Sequence, residues 1–251
     1  MSTPDHPGSQ LTLPLFLTDP HPCSYLPDLS ASTLFVHPAA PMDANIYQAL
    51  LAQGFRRSGA HVYRPACGAC RRCVPVRIPV GAFAPSRSQR RNWARNREEV
   101  LLIDRPPRFD PEHYALYRSY VRSRHADGSM ADTSPERYRE FLVAPWGGET
   151  RFLELRLGER LMAVAVTDRL PGALSAVYTF FDPEFSERAP GTYAILCQIE
   201  AARRLGLEHL YLGYWIGACP KMSYKDRFRP LEAWTDEGWR RYERGEEVPE
   251  T

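Results

Sequence analysis

The chain has 251 residues, 43% of them hydrophobic and 25% charged, and a formal net charge of +2. That length buries a core without disulfide staples, and the balance excludes a disordered or uniformly basic protein, so a nucleic-acid surface has to come from local clustering. No window approaches the ~18 uninterrupted apolar residues of a membrane span, and the first residues lack the basic region of a signal peptide. A cytoplasmic location without a membrane or DNA partner is the expectation, with the six cysteines as thiols or metal ligands rather than disulfides.

In chain order, residues 1–22 are rich in proline and polar side chains and read as a flexible N-terminal tail. A cysteine-containing region follows over 23–104. Within it Met42–Gly54 reads as a short helix, capped by Asp43 and stopped by Gly54. Phe55, His61 and Tyr63 alternate as in a strand. The run CVPVRIPV is strand-like, but its prolines confine it to a sheet edge. Residues 85–99, PSRSQRRNWARNREE, are dense in arginine. VLLIDRPP reads as a strand, Pro111–His125 as a helix, and Ser134–Val143 as a helix with proline in its first turn.

The rhythm then changes. Arg151–Arg169 reads as two strands around a Leu-Gly-Glu-Arg turn, and Ala173–Phe181 as a third, stopped by Asp182-Pro183. Gly191-Thr192 opens a helix ending at Gly206, and His209–Tyr214 is a further strand. Residues 105–235 thus form a C-terminal unit, with 236–251 as a tail. Two helices followed by hairpin, strand, helix and strand is the order of the N-acetyltransferase (GNAT) fold, of the α/β (α+β) class. That fold holds an activated acyl donor between splayed strands. Acetyl-CoA enzymes of this fold carry a glycine-rich cradle for the pyrophosphate at the helix start. Here the stretch is Arg188-Ala-Pro-Gly191-Thr192-Tyr193. The ring of Tyr193 obstructs the cradle, and Pro190 removes an N–H donor. Either the segment is only a helix start, or the fold is kept for a donor other than coenzyme A.

Three clusters bear chemistry. Arg87, Arg90, Arg91 and Arg95 lie at helical spacing around Trp93. Guanidinium groups suit phosphates and the indole suits base stacking, so the run reads as an RNA-binding face or, more plainly, as a solvated helix surface. Cys67, Cys70 and Cys73 have the two-residue spacing of a zinc or iron–sulfur chelate, with Cys23 as the fourth ligand and His21 or His61 as substitutes. Cys197 falls on an apolar helix face, and Cys219 adjoins Pro220. Finally, the chain has 30 arginines and only two lysines, Lys221 and Lys225, both in ACPKMSYKDRFRP (218–230). Four-residue spacing puts them on one side of a helix or a strand.

The stretches Cys23-Ser-Tyr-Leu-Pro27, YRPACGACRRCVPVRI (63–78), FAPSRSQRRNWARN (83–96), RHADGSM (124–130), AVYTFFDP (176–183), PGTYAI (190–195) and GYWIGACPKMSYKDRFRP (213–230) together resemble the bacterial aspartate/glutamate leucyltransferases, relatives of the eukaryotic arginyl-tRNA–protein transferases. The resemblance covers roughly residues 15–235. It implies transfer of leucine from leucyl-tRNA to the N-terminal amine of proteins beginning with Asp or Glu, marking them for degradation, with no cofactor required for transfer. In eukaryotic relatives the N-terminal cysteines bind zinc or an iron–sulfur cluster. On this reading the leucyl group lies against the strand of Tyr178 and Phe180. Tyr193 or Tyr214 donates to the oxyanion or orients the terminal ribose, and Asp182 accepts from the incoming amine. Lys221, Lys225, Arg227 and Arg229 meet the acceptor carboxylate or the tRNA phosphates. The alternatives are an acetyl-CoA N-acetyltransferase, arginyl rather than leucyl transfer, and a non-catalytic RNA-binding module.

Overall fold

The computed structural model describes residues 12–124 and 133–250. The first half of the expected N-terminal tail, residues 125–130 of RHADGSM and the final threonine lie outside the described residues. Four short strands open the described chain: β1 (Leu15–Leu17), β2 (His21–Pro22), β3 (Ser30–Ala31) and β4 (Thr33–Val36). Helix α1 (Ala44–Ala52) starts where Asp43 Oδ1 accepts from the Ile46 amide at 2.8 Å, a side-chain N-cap. Strands β5 (Arg56–Ser58) and β6 (His61–Pro65) form a hairpin around Gly59, at φ +60°. The alternating stretch after α1 is therefore two strands rather than one, because the glycine turns the chain.

Next come β7 (Val74–Pro79), α2 (Arg87–Asn96), β8 (Val100–Arg105), α3 (Pro111–Arg124) and α4 (Pro135–Tyr138), the last continuing into a π-turn over Arg139–Val143. The hairpin β9 (Glu149–Leu157) and β10 (Arg160–Arg169) leads to β11 (Ala173–Phe181). A 3-10 turn over Pro183–Arg188, α5 (Pro190–Arg204), β12 (His209–Trp215), α6 (Pro220–Ser223), β13 (Leu231–Thr235) and β14 (Gly238–Tyr242) complete it.

Eight strands form one sheet in the order β14-β13-β7-β12-β11-β10-β9-β8, and β1-β4-β6-β5 form a second. The large sheet is mixed, since β11 and β12 run parallel while their neighbours pair antiparallel. Strand β10 is apolar at nearly every position because both of its faces are covered. Val164 and Val166 pack with Tyr117, Tyr120 and Val121 of α3. The alternate residues Ala163 and Ala165 pack with Tyr193, Ala194 and Cys197 of α5. Helix α2 lies beside α5, joined through Trp93 and Tyr193 at 5.5 Å between ring centroids.

Two expectations change. The run CVPVRIPV is not an edge: β7 stands between β12 and β13. Its prolines are tolerated because β13 pairs only with Val76 and Arg77, leaving Pro75 and Pro79 outside that ladder. Val74, Val76 and Ile78 alternate inward and are buried. The sheet also runs across the division expected near residue 104, since β7 and β8 belong to it, and the expected C-terminal tail contributes β14.

The smaller sheet is fastened to the larger by one buried ion pair. Arg57 on β5 reaches both carboxylate oxygens of Asp168 on β10, with Nε to Oδ2 at 2.5 Å. Its remaining donors go to the Gly59 carbonyl at 2.8 Å and the Thr150 hydroxyl at 3.0 Å. Thr150 in turn donates to Asp168 at 2.8 Å and accepts from the Trp146 indole at 2.8 Å. Satisfied in this way, the buried charges are tolerated; with one partner removed, the other is left uncompensated. Asp168→Ala is expected to cost about 3–5 kcal/mol in denaturant unfolding, whereas Arg57→Met combined with Asp168→Leu recovers most of that loss. A cost below about 1 kcal/mol for the single variant would show that the pair does not hold the two sheets together.

Candidate active site

Strands β11 and β12 pair through only three positions, Ala173 with His209, Leu174 with Leu210 and Ser175 with Tyr211. The ladder stops there, although β11 runs on to Phe181 and β12 to Trp215. Each strand is bulged just beyond the stop. Val177 is skipped between Ala176 and Tyr178 in the β10 ladder, and Leu212 between Tyr211 and Gly213 in the β7 ladder. Bulges bend strands and re-aim side chains, and they are common beside active sites. A cleft of about 2150 Å³ opens over the gap.

Arg56 fills the floor of the gap. Its neighbour Arg57 faces the core, so the strand's two-residue period turns Arg56 the other way. The Arg56 guanidinium donates through Nη2 to the Val177 carbonyl. Gly213 makes the approach possible: a Cβ there would lie 2.0 Å from Arg56 Nη1, and its φ of +77° is left-handed. Tyr214 stands next to it, its hydroxyl directed at the carbonyls of Gly54 at 3.0 Å and Tyr63 at 3.2 Å. One proton serves two acceptors, so the hydroxyl is committed to holding the hairpin.

Lys225 closes the same end. It is 3% exposed, and its Nζ donates to the Tyr214 carbonyl and lies 3.5 Å from Met222 Sδ. Among the described residues no carboxylate pairs with it. Burial pushes the amine well below the usual lysine range, and the Arg56 guanidinium pushes the same way. Lys221 and Arg227 are exposed and line the rim. Tyr178 lines the cleft from β11, and burial drives its hydroxyl pKa upward, so it keeps its proton. Gly191 and Thr192, at the N-terminus of α5, face the cleft as well.

Other expected residues are placed elsewhere. Tyr193 is buried against Trp93 and Cys197, so its ring does not obstruct the helix start; the missing N–H of Pro190 remains. Trp93 is partly buried, tilted against Tyr193. Asp182 caps the following turn, accepting from the Glu184 amide at 3.0 Å, and pairs with Arg160 at 2.9 Å, outside the cleft lining. Arg229 is buried, donating to the carbonyls of Asp226 at 2.6 Å and Glu243 at 3.4 Å. Arg87, Arg90, Arg91 and Arg95 are exposed on α2, and among the described residues none pairs with a carboxylate.

The cysteines Cys23, Cys67, Cys70 and Cys73 line one wall of the cleft, with His21 and His61 nearby on its lining. Burial pushes the Cys73 thiol up to about 12, and Cys23, Cys67 and Cys70 add to the shift. Cys67 Sγ donates to the Ser32 carbonyl at 3.7 Å. Among the described residues, no three His, Cys, Asp or Glu side chains are placed to hold a metal ion. Cys197 is buried on α5, and Cys219 is buried beside Leu26 and Ile216.

Arg56 is the residue that sequence reasoning missed. Its signal was the doublet Arg56-Arg57 in an alternating segment, which forces one guanidinium inward and the other to the opposite face.

Residues 21–91 match the family model described as "Arginine-tRNA-protein transferase, N terminus", and residues 112–235 match "Arginine-tRNA-protein transferase, C terminus". A protein of Chromohalobacter salexigens named "Aspartate/glutamate leucyltransferase" is 53% identical over 240 residues, spanning 93% of this chain and 95% of that protein. One of the same name from Pseudomonas aeruginosa is 50% identical over 229 residues, spanning 90% and 96%. A solved structure described as L-PGS from Bacillus licheniformis covers 71% of this chain and 62% of its own, at 13% identity and a TM-score of 0.44. No helix among the described residues is long and apolar enough to cross a membrane.

Two measurements check the geometry. Gly213→Ala forces a strained φ and a clash with Arg56, and should lower Tm by several degrees; a shift under about 1 °C would mean that the guanidinium does not sit against β12. Lys225 loses its proton at lower pH when folded than when unfolded. Between those two pKa values the unfolded chain binds the extra proton, so stability rises with pH. The Tm of the wild type should therefore gain on that of Lys225→Met as pH is raised from neutral toward 10.5, and a constant difference would show that Lys225 keeps its proton.

Proposed function

The chain belongs to the arginine-tRNA–protein transferase family, and on that premise we infer that it is a leucyltransferase, moving leucine from leucyl-tRNA to the N-terminal amine of proteins that begin with Asp or Glu. The observation that supports this most is half identity, over nearly the whole length, to proteins named for that activity. The fold fits a GNAT-type acyltransferase, with an acyl donor lying where two parallel strands part. Arginyl transfer is the competing reading within the family, and the choice between donors is made at the acyl pocket.

The donor is an ester and already activated, so the chemistry asks for alignment and charge stabilisation rather than ATP. The α-amine has an ordinary pKa of roughly 7.7–8.0, so a useful fraction is unprotonated near neutrality. It attacks the leucyl carbonyl, the carbonyl oxygen takes the electron pair, and collapse releases the terminal ribose hydroxyl. In this reading the leucyl side chain lies against Tyr178 and the aromatic wall of Tyr117 and Tyr120. In the same reading the protonated Tyr178 hydroxyl donates to the developing oxyanion. Tyr193 and Asp182 have no place in this scheme, and Tyr214 acts through the hairpin that it holds. Alignment of amine and ester supplies several kcal/mol of the barrier reduction, and hydrogen bonding to the oxyanion adds to it.

Lys221 and Arg227 at the rim, with the exposed α2 arginines, suit the phosphates of the tRNA end and acceptor stem. A protein that neutralises phosphates loses affinity steeply as salt rises. Labelled Leu-tRNA and Arg-tRNA are tested against peptides beginning Asp, Glu, Lys and Ala. Leucine should pass to Asp and Glu peptides only; transfer of arginine instead, or acceptance of Lys and Ala peptides, would overturn the reading. Combining Arg87→Ala with Arg91→Ala should weaken tRNA binding and flatten the slope of log K against log salt by about 1–2, with peptide KM unchanged. An unaltered slope removes α2 from the interface.

A further inference from the structure

We propose that Arg56 is the residue that selects acidic acceptors, its guanidinium receiving the side-chain carboxylate of the N-terminal Asp or Glu. The proposal rests on the transfer reading above. Its basis is an imbalance of charge at the floor of the cleft. Arg56 is half-buried, and among the described residues no Asp or Glu lies within 4.0 Å of it. Lys225, the buried amine close by, is held toward its neutral form and brings no anion to Arg56 either. Taking cations out of water without an anion costs free energy. Arg57, one residue on, shows the contrast: it has Asp168, Thr150 and Gly59.

Geometry says which anion fits. The hydrogen bond from Arg56 Nη2 to Val177 is the only one its guanidinium makes among the described residues, and Nη1 packs against Gly213, which leaves Nε and the second Nη2 proton, one edge of the fork, to a planar carboxylate. The slot lies between two strands, and the rings of Tyr63 and Tyr214, in contact at 6.2 Å between centroids, line it. A side-chain carboxylate on one or two methylenes can enter it. A phosphodiester with its bulky neighbours is better met by the exposed cations at the rim. Val177 also precedes Tyr178, the proposed acyl wall, so a carboxylate held on Arg56 brings the α-amine beside the bound ester. Lys, with a single compact ammonium, would supply the charge without the fork.

The test is steady-state transfer by the full chain from Leu-tRNA to peptides beginning Asp, Glu, Asn and Gln. Wild type should favour Asp over Asn and Glu over Gln. Arg56→Gln should raise KM for the Asp and Glu peptides by about tenfold to a hundredfold and erase both preferences, with the KM for Leu-tRNA unchanged. Arg56→Lys should fall between, keeping the preferences at a raised KM; a wedge that merely held Val177 would make the two variants alike. If Arg56→Gln does not fold, Arg56→Lys decides alone, and a wild-type KM for Asp peptides overturns the assignment. So does an Arg56→Gln enzyme that still prefers Asp to Asn, or one whose defect lies in Leu-tRNA. Should the wild type transfer nothing to Asp or Glu peptides, the leucyltransferase reading fails and the proposal falls with it, a result distinct from the others.

Discussion

The ion pair between Arg57 and Asp168 determines what the rest of this molecule can do. It is a fully buried ion pair between a small antiparallel sheet and a large mixed one. Because a strand alternates its side chains, fixing Arg57 inward fixes Arg56 outward, into the space where β11 and β12 part. The guanidinium then meets Val177, the skipped residue of one bulge, and Gly213, next to the skipped residue of the other. An interaction whose immediate effect is to pin two sheets thus also sets the geometry of the cleft.

The cleft holds the Arg56 charge where a folded protein has reason to avoid one, beside an amine that burial drives toward its neutral form. Lys225 is enclosed with a backbone carbonyl and a thioether for company, and Arg56 has one carbonyl. On the proposal above, such a site is relieved when the acceptor carboxylate arrives, which turns binding energy into discrimination between charged and neutral acceptors. The exposed arginines of α2 and the rim cations differ in kind. Water screens them, so they suit long-range attraction to a polyanion rather than recognition of one functional group.

Much of the scaffold was legible. Asp43 and Gly54 bracketed α1, the Leu-Gly-Glu-Arg turn marked the β9–β10 hairpin, and Asp182-Pro183 ended β11 where expected. Both lysines line the cleft, Lys225 buried at its end and Lys221 exposed on its rim. What escaped was long-range. The place of β7 inside the sheet depended on how few residues β13 pairs with it, and no local pattern records that. Asp182 looked chemical because it ends a strand at the cleft's edge, yet it serves as a turn cap. Arg229 read as part of a basic patch but spends its donors on backbone carbonyls. The bulges at Val177 and Leu212, which open the site, have no compositional signature.

The position of β7 bears on how such a protein can change over time. The strand lies in the stretch matching the N-terminal family model, yet it is hydrogen-bonded between two strands of the stretch matching the C-terminal one. Cut between them, one piece would carry a strand bare on both edges and the other a sheet with a missing rung. The halves are therefore not exchangeable cassettes. A lineage acquiring a new substrate preference has to do it by substitution within an intact chain rather than by trading one half for another.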